Sequence, residues 1–317
     1  MLNNFIICLD TTIPAFLMMA LGIFLRKIGF MTPDFTKKLN NFVFKVTLPV
    51  LLFYSLASKN FYEAWDGRFV LYCFLATCVS IGLVILLSYL LCRTKRNVQG
   101  EFIQSAYRSS AAILGVMLAQ NMYGNAGKIP LMILGAVPLY NIMAVLILSF
   151  YKPDREPLSG KLIKSTLLNV LKNPLLIGIF LGLFWSLLSI PMPKILATSL
   201  DTLGNTASPL GLLALGASFS LGKSLSQIKL TSIAAFFKLA GLGILFLPLA
   251  VRLGFRGEEL LAAIIMCGSP TTVTSFVMAK GFGHDGSLTS GAVILTTLLG
   301  SVSLTAWMFL FKSLGYL

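Results

Sequence analysis

Apolar stretches of about twenty residues follow one another along this chain, separated by short polar or basic connections. They lie near 5–25, 39–57, 69–92, 102–122, 129–150, 173–190, 196–221, 231–251, 259–279 and 288–311. A helix rising ~1.5 Å per residue needs about that length to cross ~30 Å of hydrocarbon. The pattern predicts an all-α polytopic membrane protein with ten transmembrane helices, spans 1 to 10.

The stretches repeat. Pro14, Pro33 and Pro49 recur 160 residues later as Pro174, Pro193 and Pro209, each at the same place in its stretch. With seven prolines in the first half and six in the second, chance would give roughly 0.3 coincidences at one fixed offset. Neighbours agree too: Leu21-Gly22-Ile23-Phe24 matches Leu181-Gly182-Leu183-Phe184, and Leu52, Ala57 and Ser58 match Leu212, Ala217 and Ser218. Five spans per copy force the second copy to enter the membrane upside down, the inverted repeat of secondary transporters. The expected organisation is a first five-helix repeat over 1–150, a linker over 151–172 and a second, inverted repeat over 173–317. The linker opens with Lys152-Pro153-Asp154-Arg155-Glu156-Pro157. Its second part sets Lys161, Lys164, Ser165, Asn169 and Lys172 on one helical face, the pattern of an interfacial helix on anionic lipid.

Composition excludes a soluble domain: 56% of residues are hydrophobic, 11% are charged, and the mean hydropathy is +0.87. The start lacks a basic n-region and an A-x-A-like site, which predicts an uncleaved first span. Cys8, Cys73, Cys78, Cys92 and Cys267 lack C-x-x-C spacing and His284 is the only histidine, so small core residues are expected rather than a metal site or disulfides. The net charge of +14 could suggest nucleic acid, but the basic residues sort by side. Fifteen lysines and arginines fall in connections on the side of the loop after span 1 and seven on the other. By the positive-inside rule the richer side is cytoplasmic and both termini lie outside it, in an inner (plasma) membrane. The partner expected is the lipid bilayer, not nucleic acid, with room for a homodimer.

Spans 4 and 9 stop being apolar in the middle. Span 4 reads Gln104-Ser105-Ala106-Tyr107-Arg108-Ser109-Ser110-Ala111-Ala112-Ile113-Leu114-Gly115, and span 9 reads Met266-Cys267-Gly268-Ser269-Pro270-Thr271-Thr272-Val273-Thr274-Ser275. Pro270 removes a backbone donor and disturbs the turn before it, which hydrocarbon tolerates only at a cavity. A helix restarting at mid-membrane presents amides and a partial positive charge to an anionic group. The plainer alternative is that these hydroxyls bond back to their own helices or allow close packing. Spans 2 and 7 carry a second matched pair, Lys45-Val46-Thr47-Leu48-Pro49 and Asn205-Thr206-Ala207-Ser208-Pro209, predicting helix breaks at Pro49 and Pro209 and further contacts from Thr47 and Asn205.

Lys45, Arg108 and Lys238 fall inside predicted spans, and no Asp or Glu does. A cation there costs roughly 2.5 to 3.5 kcal/mol and asks for an anion, which the substrate would supply. Lys45 and Lys238 lie near enough a span end to snorkel, whereas Arg108 abuts the polar break of span 4 and reads as a ligand or gate contact. The absence of G-x-x-x-x-G-K-[ST], and of an acidic pair within a span, speaks against ATP drive and against an enzyme. No cofactor is expected; uniport and coupling to sodium or protons both stay open.

The chain resembles the auxin efflux carrier family, whose bacterial members include predicted malonate and malate transporters. The resemblance rests on Leu203-Gly204-Asn205-Thr206-Ala207-Ser208-Pro209-Leu210, on Ser269-Pro270-Thr271-Thr272-Val273-Thr274-Ser275-Phe276-Val277-Met278-Ala279, and on Gly283-His284-Asp285. It implies a scaffold of spans 1, 2, 6 and 7, a transport unit of spans 3–5 and 8–10, spans 4 and 9 crossing at the substrate site, organic-anion cargo and elevator-like movement. Ser110 stands where many members have asparagine, Met117 where a span 4 proline is usual, and Thr274 or Ser275 where asparagine or a second proline appears. Without that proline, Gly115 and the serine pair are left to loosen span 4. Asn141 and Ser301 are related by the 160 offset and face the same crossing. The substrate site is therefore expected from Arg108, Ser109, Ser110, Asn141, Ser269, Pro270, Thr271, Thr274, Ser275 and Ser301. The function expected is secondary transport of a mono- or dicarboxylate. Rival readings are a sodium-coupled symporter of the bile-acid type, whose E-P-G sequence is missing here, and a membrane sensor or scaffold.

Overall fold

A computed structural model describes residues 2–58, 66–93, 95–110, 115, 118–119, 122–124, 127–152, 174–219 and 226–317, with the side chains of 2–12 and Ala15 left aside. Among these residues all regular structure is helical. The main helices are α1 (Leu2–Lys27), α2 (Pro33–Ala57), α3 (Gly67–Leu91), α4 (Gln99–Tyr107), α5 (Ile129–Phe150) and α6 (Pro174–Leu187). They continue with α7 (Lys194–Asn205), α8 (Ala207–Ser218), α9 (Ile228–Arg252), α10 (Gly257–Gly268), α11 (Val273–Gly281) and α12 (Ser287–Ser313). Five of them, α2, α3, α5, α9 and α12, are long and apolar enough to cross a bilayer, and α10 with α11 makes a sixth if that bent pair is one span. The linker beyond Lys152, its predicted interfacial helix and Met117 lie outside the described residues.

Helices α1 and α8 pack together, as do α2 and α6, and glycines bring their backbones into contact. A Cβ on Gly22 would stand 2.4 Å from the Leu213 carbonyl oxygen, and one on Gly182 would stand 2.6 Å from that of Phe53. Both members of the first contact are displaced by the 160-residue offset from those of the second. Without water to drive association, membrane helices rely on such close approach for van der Waals contact.

Two apolar clusters form. One gathers Phe69, Phe102, Tyr107, Met132, Leu247, Ile264 and Leu304, from α3, α4, α5, α9, α10 and α12. The other joins Met19, Leu48, Leu176 and Leu215 of α1, α2, α6 and α8 to Val145 of α5, Val277 of α11 and Val293 of α12. Lys95 Nζ donates to the Ser226 carbonyl oxygen at 2.9 Å, and Arg68 Nη2 to that of Leu253 at 3.2 Å, each tying segments distant in sequence.

The expected break at Pro49 is a widened turn instead. Helix α2 runs through it because Val43–Thr47 form a π-helical turn, with Leu48 N–H bonded to Val43 O. The wide turn absorbs the donor that Pro49 lacks and the bulk of its ring. Near Pro209 the helix is interrupted, by a turn at Thr206 between α7 and α8, next to the Asn205 carbonyl that the proline ring would clash with.

Candidate functional site

Helix α4 ends at Tyr107 and α10 at Gly268, and in both the following residue is extended: Arg108 at φ −74°, ψ 134° and Ser269 at φ −76°, ψ 158°. For Ser269 the cause is Pro270, whose ring disfavours helical backbone in the residue before it. The chain becomes helical again at α11, bent 42° from α10. The two extended segments meet, with Ser110 N–H donating to the Pro270 carbonyl oxygen at 2.8 Å.

Each break satisfies carbonyls that the other helix leaves free at its end. The Ser109 hydroxyl donates to Met266 O in α10, and Thr271 Oγ1 donates to Ser105 O in α4 at 2.8 Å. Gln104 Nε2 donates to Ser275 O at 3.0 Å, and the Thr271 amide to Thr296 Oγ1 of α12 at 3.0 Å. Gly300 admits Pro270 to α12, since a Cβ there would stand 2.4 Å from the proline ring. Gln104, Thr296 and Gly300 had no signal in the sequence beyond being polar or small within an apolar run.

Arg108 is 3% exposed. Its Nη2 donates to Asn141 Oδ1 of α5 at 2.7 Å and to Thr274 Oγ1 of α11 at 3.1 Å, and Nη1 donates to the Met278 sulfur at 2.9 Å. Nε has no partner. All three acceptors are neutral, and no carboxylate among the described residues bonds the guanidinium. Beside it, half-buried Ser110, Thr272 and Thr274 border the start of α11, which has no side-chain cap on its amides. Thr272 Oγ1 and Thr274 Oγ1 are 3.1 Å apart. Guanidinium, hydroxyls and helix N-terminus together form an electropositive cluster suited to a carboxylate.

The expected site residues divide. Arg108, Asn141 and Thr274 are brought into direct contact, and Ser110 borders them. Ser109, Pro270 and Thr271 tie the crossing together, while Ser269, Ser275 and Ser301 are buried behind it. Thr47 and Asn205 do not join the cluster: the Thr47 hydroxyl bonds Val43 O in its own helix, and Asn205 is exposed at the end of α7. Gly115 is helical and wedged against Ile129 and Ile265, with residues 111–114 before it outside the described residues.

Two charged residues need correction. Lys45 is exposed, as snorkelling requires, but Lys238 is fully buried. Its Nζ bonds the carbonyl oxygens of Cys267 at 3.0 Å and Met266 at 3.3 Å, because a π turn at Phe237–Gly241 directs it at the end of α10. Glu101, placed just before span 4 by hydropathy, is a fully buried carboxylate inside α4. It accepts from Gly286 N at 2.9 Å and from Thr289 N and Oγ1 at 3.0 and 3.1 Å, capping α12 from another helix.

A cavity of about 620 Å³ opens between α1, α2 and α8 on one side and α11 and α12 on the other. Its lining includes Arg26, Lys37, Lys280, His284, Asp285 and Ser290, three cations to one carboxylate. Helix α11 runs from the crossing to this basic cavity, with Phe276 in its wall.

An apolar helical bundle with two interrupted helices crossing in a polar cluster has the architecture of a membrane transport protein. The chain belongs to the membrane transport protein family that includes the auxin efflux carriers, and the family's sequence profile matches residues 7–308. It is 21% identical over 283 residues, 87% of each chain, to the "Putative malonate transporter" of Rhizobium meliloti (strain 1021). It is 29% identical over 148 residues, 43% of this chain and 39% of the relative, to the "Probable auxin efflux carrier component 5b" of Oryza sativa subsp. japonica. With the "Auxin efflux carrier component 3" of Arabidopsis thaliana it shares 26% identity over 138 residues, 41% of this chain and 21% of the relative. The match thus spans well under half the length of the plant relatives. The family and these relatives are described as transport proteins and carriers.

Proposed function

We propose that this protein is a secondary carrier of a small organic anion, a mono- or dicarboxylate, working by elevator-type alternating access in the inner (plasma) membrane. The observation that carries the reading is Arg108, a buried cation at the crossing whose hydrogen-bond acceptors are all neutral. A substrate carboxylate supplies the missing charge, taking the place of Thr274 and Met278 on the guanidinium and lying against the first amides of α11. Malonate is the first ligand to try, given the name of the Rhizobium relative.

The reading uses ten spans in two inverted five-helix repeats. Support comes from the Gly22–Leu213 and Gly182–Phe53 contacts, which a shift of 160 residues converts into one another. The apolar cluster drawn from α3, α4, α5, α9, α10, α12 and the segments joining them corresponds to a moving unit, with α1, α2 and α6–α8 as the scaffold. The basic cavity lies on the seam between them and admits the anion from the face that the positive-inside rule assigns to the cytoplasm.

Counterflow in proteoliposomes tests the proposal. Labelled malonate should accumulate against unlabelled malonate trapped inside, and other small carboxylates should compete. Binding of carboxylates without counterflow would make the protein a sensor, and neither binding nor flux across a carboxylate series would remove the anion reading.

A further inference from the structure

Lys238 stands apart from the anion cluster and engages the other end of the broken helix. Its two acceptors are the carbonyl oxygens of Cys267 and of Met266, the latter shared with the Ser109 hydroxyl, in the last turn of α10, and the residue is fully buried. A helix end presents carbonyls without intrahelical donors and the negative pole of its dipole. Converging carbonyls at an interrupted membrane helix are the coordination chemistry of a small monovalent cation.

The surroundings are built to hold the lysine there. The π turn at Phe237–Gly241 frees the carbonyl of Leu239, which Ser303 Oγ takes at 2.8 Å and Trp307 Nε1 at 2.9 Å. Gly243 and Gly268 make room for that indole, as a Cβ would stand 2.6 and 3.1 Å from it. Single π turns within α-helices often mark functional sites, and this one is braced by two side chains of α12.

We propose that Lys238 is a tethered cation filling a latent monovalent-cation site made by the carbonyls of Met266 and Cys267. The charge that the helix end calls for is thereby part of the chain instead of a bound sodium ion. The inference deepens the carrier reading, on which it rests for the importance of the crossing.

Thermal unfolding of the purified protein without organic anion, in sodium chloride against choline chloride at matched ionic strength, tests it. Wild type is expected to melt at the same temperature in both. Lys238→Ala is expected to melt lower in choline and to recover by roughly 3 °C or more in sodium or methylammonium, whose cations are small enough to reach the carbonyls. Lys238→Gln, which keeps a polar side chain but not the charge, should respond in the same way and serves if the alanine variant does not fold. A sodium-specific rise in wild type, or variants indifferent to sodium against choline, would overturn the proposal. Because no organic anion is present, such a failure leaves the anion site untouched. A missing carboxylate response alongside the expected sodium pattern would remove the anion reading alone.

Discussion

Arg108→Gln should weaken anion binding strongly while leaving the fold standing. A charge-assisted hydrogen bond to a carboxylate is worth ~1.5–3 kcal/mol, so the loss corresponds to roughly ten- to 150-fold in affinity. Stability has two opposing terms. Removing the guanidinium strands Asn141 Oδ1, whose Arg108 bond is 2.7 Å, at a cost of about 1–3 kcal/mol. It also relieves the roughly 2.5–3.5 kcal/mol of holding an uncompensated cation in the membrane. These nearly cancel, so the variant should melt close to wild type although it has lost most of its affinity. Arg108→Lys should fall between them, since one ammonium keeps the charge but cannot reproduce the planar fork that reaches Asn141, Thr274 and Met278 together. Calorimetry with malonate on monodisperse protein measures the difference. Equal binding by wild type and Arg108→Gln would refute the reasoning and leave the amides of α11 to hold the anion alone.

Burial holds the His284 imidazole below its ordinary 6.5, opposed by the Leu148 carbonyl it bonds and by Glu101, and reinforced by Lys152. The unfolded chain therefore binds the proton more readily, so stability should hold above about pH 6.5 and fall as pH drops below it. His284→Gln should flatten that fall in melting curves; an unchanged acid slope would refute the assignment. Gly22→Ala and Gly182→Ala should each lose ~1–3 kcal/mol or more, because the new methyl meets backbone that cannot step aside. Gly82→Ala, with open space around it, should be neutral or slightly stabilising, and thermal unfolding of the three compares them directly. A cysteine at Gly160 in a cysteine-free background should resist an impermeant reagent applied from outside the cell. Labelling from outside would overturn the topology.

The long spans were legible because apolar length is a local property: the expected ends of span 3, 69–92, differ from those of α3, Gly67–Leu91, by two residues or fewer, and α2, α3, α5, α9 and α12 all fall on expected spans. The breaks at Arg108 and Ser269 showed as clusters of serine, threonine and proline, and Arg108 as a cation next to one. Lys238 was misread because its direction depends on a π turn and on a helix end 28 residues away, neither of which changes hydropathy. Glu101 was placed outside span 4 because a charged residue marks a boundary in any hydropathy reading, whereas its charge is balanced by the N-terminus of α12. Thr47 looked like a ligand contact by analogy with its repeat position, yet its hydroxyl has an acceptor one turn away in the same helix. Long-range ties such as Thr271 to Ser105 are properties of the assembled crossing, invisible in either segment read alone.

That mutual completion at the crossing bears on how such a chain could have arisen. The Ser105 carbonyl is satisfied by a hydroxyl 166 residues later, and the Met266 carbonyl by one 157 residues earlier. A single half would leave its own interrupted helix with bare polar backbone in hydrocarbon, several kcal/mol for each unsatisfied group. Half a chain is thus not half a carrier. On the two-repeat reading, a half-length ancestor would need two copies inserted in opposite directions and clasped together, a partnership that the exposed backbone makes compulsory and that fusion of the halves would make permanent.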